Sequence, residues 1–437
     1  MTASVENEVN YAAMVFEVPG LEKAPNSDRL YLLRHAGITV IVDSSWLERE
    51  GQLAFLFPTE AQISEGLAWF ANLHAQQDKN FDQGQKGYLG KNRRVKALKL
   101  RGNISSGLAL PAEVVTAYTG GTGGIVPGDL VDTINGLEIS RKFVIPVKEA
   151  NLGKTQASLA KALKRVDEAR FPQHIDTSHY LRNESSIPDE AQVIVTQKLH
   201  GTSVRMGNVP VRRTLSWLER LAKRLGVNVT ETEYAYIAGS RKVVKDPDNP
   251  NQNHFYSKDV WTEALDAWGR DIPKGFIVYG ELVGYTSSGE VIQRGYTYEA
   301  SPGSMDLYIY RVALTMEGGE LVDLSHDQVR EFGMRYGMQV VPELWRGRKV
   351  DLNTHLDSFT EKNFYKEWGD KFGLGYNERP VKLSPGGAGV DEGVVIRVDG
   401  RYDVADFYKH KNDSFLVFES KDLDQDEAAA EAEEEVE

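Results

Sequence analysis

The chain has 437 residues, 41% of them hydrophobic, which allows two or three folded units. It contains no run of about 18 uncharged apolar residues that would cross a bilayer. No cysteine is present, which excludes structural disulfides and thiolate zinc sites and leaves oxygen and imidazole as metal ligands. The net charge of -13 would argue against a polyanionic partner, yet nine acidic residues lie in 422–437 without a basic one, so the rest carries only -4. The first residues, Met1-Thr2-Ala3-Ser4-Val5-Glu6, lack the apolar core of a secretory leader. A cytoplasmic monomer with no membrane attachment is the expectation.

Up to about Val147 the sequence alternates β-rich runs, such as Thr39-Val40-Ile41-Val42, with turn clusters at Pro25-Asn26-Ser27-Asp28 and Gly120 to Gly124. This predicts a small β-barrel over residues 1–148. Within it, residues 86–101 hold seven basic side chains and no acid. A connector is predicted over 149–188, with Leu159, Ala162, Leu163 and Val166 at helical spacing in an amphipathic helix over 151–170. From 189 to 421 apolar strands at 192–197, 276–279, 307–312 and 393–398 alternate with helical stretches, an α+β pattern. Over 214–225, Leu215, Leu218, Leu221, Ala222 and Leu225 share one face, which predicts a surface helix covering the sheet. The acidic tail 422–437 is predicted to be disordered.

The first chemical signal is Lys198-Leu199-His200-Gly201-Thr202-Ser203, where an apolar strand runs into a glycine turn. Alone it is weak, because 40 glycines make such a spacing common. It is followed, in order, by Ser240-Arg241, Val278-Tyr279-Gly280-Glu281-Leu282, Leu307-Tyr308-Ile309-Tyr310, Asp391-Glu392-Gly393-Val394-Val395-Ile396-Arg397 and Lys409-His410-Lys411. With these elements in this order, residues 190–415 resemble the covalent nucleotidyltransferase superfamily of ATP-dependent ligases and capping enzymes.

The resemblance implies that Lys198 attacks the α-phosphate of ATP. A lysine does so only as the neutral amine, and nearby cations lower its pKa. Lys409 and Lys411 alternate on a predicted strand, so both ammonium groups face one pocket and, by the resemblance, contact the α-phosphate. Glu281 and Glu392 suit Mg2+, with Mn2+ as a substitute, or ribose hydroxyls. The resemblance assigns Glu281 mainly to the ribose and Glu392 mainly to the metal and to lysine activation. It places Gly201 at the nucleotide and Arg241 at a phosphate or a nucleic-acid end. Tyr308 and Tyr310 share a strand face, and either one would stack on adenine. Gln197 stands where many RNA ligases carry glutamate, and its amide oxygen would accept from the adenine amino group. His174 and His179, around Asp176, have loose spacing and receive no role.

Only 26 residues follow Lys411, eleven of them acidic, so the C-terminal OB domain of capping enzymes and DNA ligases is not expected here. The RNA ligase branch remains. Gly87-Tyr88-Leu89-Gly90-Lys91-Asn92-Arg93-Arg94-Val95-Lys96, Lys99-Leu100-Arg101-Gly102 and Ser106-Gly107-Leu108-Ala109-Leu110-Pro111 resemble the appended OB-type module of nick-sealing RNA ligases. Lys91, Arg93, Arg94, Lys96, Lys99 and Arg101 would then track an RNA backbone.

The expected fold is α+β, an OB-like barrel followed by an ATP-grasp-like nucleotidyltransferase domain of antiparallel sheets and helices. The expected activity is ATP-dependent joining of RNA 3'-hydroxyl and 5'-phosphate ends through lysyl-AMP, at nicks in RNA-containing duplexes, as in RNA repair. A single-strand or tRNA-break ligase is the catalytic alternative, and a non-catalytic RNA-binding protein the other.

Overall fold

The computed structural model describes residues 10–144, 165–245, 247, 259–316, 318–354, 356, 377–383, 389–399 and 406–434, with backbone alone for 425–434. It is a mixed α+β fold. In the N-terminal part a four-stranded antiparallel sheet has the order Leu130–Val131, Ala13–Glu17, Leu53–Pro58, Gly107–Pro111. Because side chains alternate along a strand, Val15, Phe55 and Phe57 enter one core while Phe16, Ala54 and Leu56 enter another. Burial on both faces accounts for the unbroken apolar run Leu53-Ala54-Phe55-Leu56-Phe57. Among the described residues this sheet stays open at Leu130–Val131 and Gly107–Pro111 and no closed barrel forms. Short helices, Glu65–Phe70 and Ala112–Thr119, close its cores instead.

The larger unit holds two sheets. A seven-stranded one runs from Val244–Lys245 through Thr232–Gly239, Thr202–Arg212, Phe276–Gly284 and Met305–Thr315 to Leu321–Asp323, with Gln339–Val340 pairing parallel to Met305–Thr315. A five-stranded one has the order Ser178–His179, Asp406–Lys411, Gly393–Val398, Gln192–Lys198, Glu343–Arg348. The chain leaves the five-stranded sheet at Lys198 and enters the seven-stranded one at Thr202. The predicted nucleophile therefore sits where the two sheets meet, above a shared core of Leu199, Val283, Tyr296 and Phe415.

Three expectations change or fall outside the description. Most of the connector helix, 145–164, lies outside the described residues, and 165–171 are turns in which the Asp167 carbonyl accepts from the amides of Arg170 and Phe171. Of the acidic tail, the residues up to Glu434 continue the helix Asp413–Glu434, and 435–437 lie outside the described residues. The tail's alanines and glutamates are strong helix formers, and Asp424 is held by Arg94 and Lys96. The helix predicted at 214–225 forms as Trp217–Arg224, but its apolar side chains face solvent and cover no sheet.

Candidate active site

A cavity of about 450 Å³ opens between the N-terminal unit and the two sheets. Strand register builds its floor. Lys198 lies opposite Gly393, and Gly393 lies opposite Lys411 on the next strand. Lys198 and Lys411 are thus at one level, roughly 10 Å apart across two strand spacings. The residue before Gly393 is Glu392, whose carboxylate falls between them.

Lys198 Nζ is 2.8 Å from Glu392 Oε1, Lys411 Nζ is 3.9 Å from the same oxygen, and His200 Nδ1 is 3.4 Å from Oε2. Burial would raise the Glu392 carboxyl, but Lys198, His200 and Lys411 outweigh it and hold the group well below the usual carboxylate range. The immediate neighbour of Lys198 is therefore Glu392, the acid that the resemblance assigned to lysine activation, and the two lysines stand farther off. The register explains this, since Lys409 and Lys411 lie two strands away.

Both lysines do line the cavity, as alternation predicted. Each already has a carboxylate. Lys409 Nζ donates to Glu60 of the N-terminal unit, and Lys411 Nζ lies 2.7 and 3.0 Å from the oxygens of Glu419 on the C-terminal helix. Burial holds the Lys409 ammonium below its ordinary value, against the pull of Glu60. For Lys411 burial acts downward too, yet Glu419 and Glu392 carry it above the ordinary range.

Glu281 faces the cavity from the second sheet. The Gly201 amide and the Ser203 hydroxyl donate to its two oxygens, each at 3.2 Å. Only glycine fits at 201, because a Cβ there would stand 2.2 Å from the Leu282 carbonyl oxygen. Burial raises the Glu281 carboxyl from 4.5 to about 7 despite nearby Lys198. A raised carboxyl favours the folded state while protonated, so this contribution is present below pH 4.5 and is lost as pH rises through about 7. Without nucleotide, the Tm of wild-type protein should fall more between pH 5 and 8 than that of a Glu281→Gln variant, by about 2–4 °C for each kcal/mol involved. Parallel Tm curves would remove this assignment.

Of the two tyrosines only Tyr310 lines the cavity, with its hydroxyl 2.6 Å from His174 Nδ1. Both tyrosines also pack against the core cluster that holds Leu199 and Val341. Gln197 reaches the cavity wall, but its Nε2 donates to the Val381 carbonyl at 2.9 Å and its Oε1 accepts from the Val381 amide at 2.7 Å. The oxygen expected to read adenine is thus engaged by backbone. Arg241 pairs with Asp176, which also draws Lys142 at 3.4 Å.

The basic segment divides. Arg94 is buried, donating to the Ser420 carbonyl at 3.0 Å and to Asp424, and Lys96 pairs with Asp424 at 2.6 Å. These two dock the C-terminal helix, contrary to the expectation that they face RNA. Lys91, Lys99 and Arg101 are exposed, while Arg93 is half-buried with its Nε donating to the Ile63 carbonyl at 3.1 Å. Sequence reasoning missed Glu60, Asp176, His174 and Glu419, whose roles arise from partners distant in the chain.

Residues 191–425 match the RNA ligase family model. No curated protein matches the chain. A mutant apo form of Naegleria gruberi RNA ligase has a similar fold, with 15% identity, 93% of this chain and 98% of that chain covered, and a TM-score of 0.54. The same ligase with PPi gives 16% identity, coverage of 93% and 98%, and a TM-score of 0.54. A mutant of it with ATP and Mn gives 14%, 95% and 99%, and 0.54. The family match spans more than half of the sequence and contains Lys198, Glu281, Glu392, Lys409 and Lys411: the chain belongs to the RNA ligase family.

Proposed function

We propose that this protein is an ATP-dependent RNA ligase that carries AMP on Lys198. The observation that carries this reading is the Lys198–Glu392–Lys411 array in one cavity with Lys409. In the first step the Lys198 amine, having lost a proton, bonds to the α-phosphorus of ATP while the bond to the bridging oxygen breaks and pyrophosphate leaves. In the second, a 5'-phosphate oxygen takes the adenylyl group and frees the lysine. In the third, an RNA 3'-hydroxyl bonds to that 5'-phosphorus, loses its proton and displaces AMP.

Glu392 orients the lysine, and the ammonium groups of Lys409 and Lys411 answer the charge that builds on phosphorus. Tyr310 offers a ring for adenine. A divalent ion fits the donor set: Glu392 is buried, Glu281 faces the same cavity, and the charge on Glu392 raises the Glu281 carboxyl, a repulsion that a cation relieves. Mg2+ is commonly held by one or two carboxylates together with substrate phosphates. Bound there, Mg2+ or Mn2+ would neutralise phosphate charge. That solved Naegleria gruberi ligase structures contain ATP and Mn supports this.

The N-terminal unit, OB-type by its sequence, serves on this reading as the RNA module, with Lys91, Lys99 and Arg101 on phosphates of a nicked duplex in RNA repair. Incubation with α-labelled ATP and Mg2+ followed by a denaturing gel tests the core of the proposal. Covalent label from ATP and not from GTP is expected; no label alongside intact RNA binding would favour a non-catalytic binding protein. The triple variant Lys91→Glu/Lys99→Glu/Arg101→Glu should keep the label yet seal nicks about tenfold more slowly.

A further inference from the structure

The strands Thr202–Arg212 and Thr232–Gly239 form a hairpin whose connection carries the helix Trp217–Arg224. That helix is built deliberately: Ser216 and Glu219 form a complete capping box at its start. Yet no core claims its apolar side chains. Trp217 is 69% exposed, Leu218 57%, Leu221 47% and Leu225 75%. Apolar side chains gathered on one short element mark an interaction surface.

The charge beside them says what kind. A groove of about 420 Å³ along the hairpin is lined by Arg170, Arg212, Arg213 and Arg220, against the single acid Glu231. That acid is already neutralised by Lys223, as Arg213 is by Glu219. Arg212, Arg220 and Arg224 leave the arm net positive. Its complement is a polyanion that also presents flat or apolar faces, which the sugar edges and bases of RNA do.

We infer that this arm is a second RNA-binding surface, which grips the duplex flanking the break while Lys198 works at the break itself. The inference rests on the RNA-joining reading for its ligand. The arginines meet backbone phosphates, and Trp217 with its leucines packs on the shallow minor groove. Strand Thr202–Arg212 begins four residues after Lys198 and has 11 residues. At about 3.3 Å per residue its far end lies roughly 30 Å from the nucleophile, close to one turn of a double helix. Only a duplex continuing about ten base pairs past the break reaches both.

The test uses full-length protein carrying Trp217→Ala, Arg212→Ala and Arg220→Ala, all exposed positions outside the cavity. Anisotropy gives its affinity for a nicked RNA duplex with about 15 base pairs on each side and for one with about 6, over a series of salt concentrations. The long duplex should bind about tenfold more weakly than to wild type, with the slope of log K against log salt reduced by about 2. The short duplex and labelling by ATP should be unchanged. Equal affinity of both proteins for the long duplex overturns the inference. So does a variant that loses binding only to vesicles containing phosphatidylserine, which would make the arm a membrane contact. If wild type takes no label from ATP while the arm variant still loses long-duplex binding, the ligase reading fails and the arm stands.

Discussion

Lys198→Ala protein should acquire no covalent AMP from α-labelled ATP, a loss of at least about 10³-fold, because the neighbouring amines of the cavity, Lys409 and Lys411, are held as ion pairs by Glu60 and Glu419. Lys198→Arg should fail equally, for a different reason. A guanidinium keeps the pairing with Glu392, so the fold and Tm should hold, but it does not deprotonate in a protein and cannot attack phosphorus. Together the two variants separate loss of the nucleophile from loss of the ion pair. Both should still seal RNA supplied with its 5'-phosphate already adenylylated, since the last step needs no lysyl intermediate. Covalent label on either variant would move the nucleophile elsewhere in the chain.

Glu392→Gln should lower labelling by about 10²-fold. The sign is informative. If Glu392 did nothing except hold Lys198 as an ammonium, removing its charge would free the amine and speed the reaction near neutral pH. Slower labelling means that its role in aiming the amine and receiving a cation outweighs that penalty. The variant also leaves Lys198 without its closest anion, at 2.8 Å, while Lys411 keeps Glu419 at 2.7 Å. Faster labelling by Glu392→Gln would refute the assigned role.

Much of the site was legible in the sequence, and the reasons are local. A strand entering a glycine turn showed where the chain crosses between sheets, and the steric demand at Gly201 follows from that crossing. Period-two alternation put Lys409 and Lys411 on one face and His410 on the other, and the structure keeps that division. Alternation could not separate Tyr308 from Tyr310, which share a face; the cavity ends between them. The helix at 214–225 had the right periodicity and the wrong partner, because a stripe of leucines records only that a face is apolar, not what covers it.

The sequence by itself determined the order and side-chain chemistry of the candidate groups, a lysine at a strand end, two acids and a lysine pair, since each depends on side-chain type and on neighbours within a few residues. The tertiary structure alone decided which charge answers which. Lys409 meets Glu60 across 349 positions, and Arg94 meets the Ser420 carbonyl across 326. Burial likewise divided the basic segment, turning Arg94 inward and leaving Lys99 and Arg101 in solvent. Such pairings follow from how separately folded units pack, because a buried charge must find whatever opposite charge the packing brings within reach, wherever that lies in the chain.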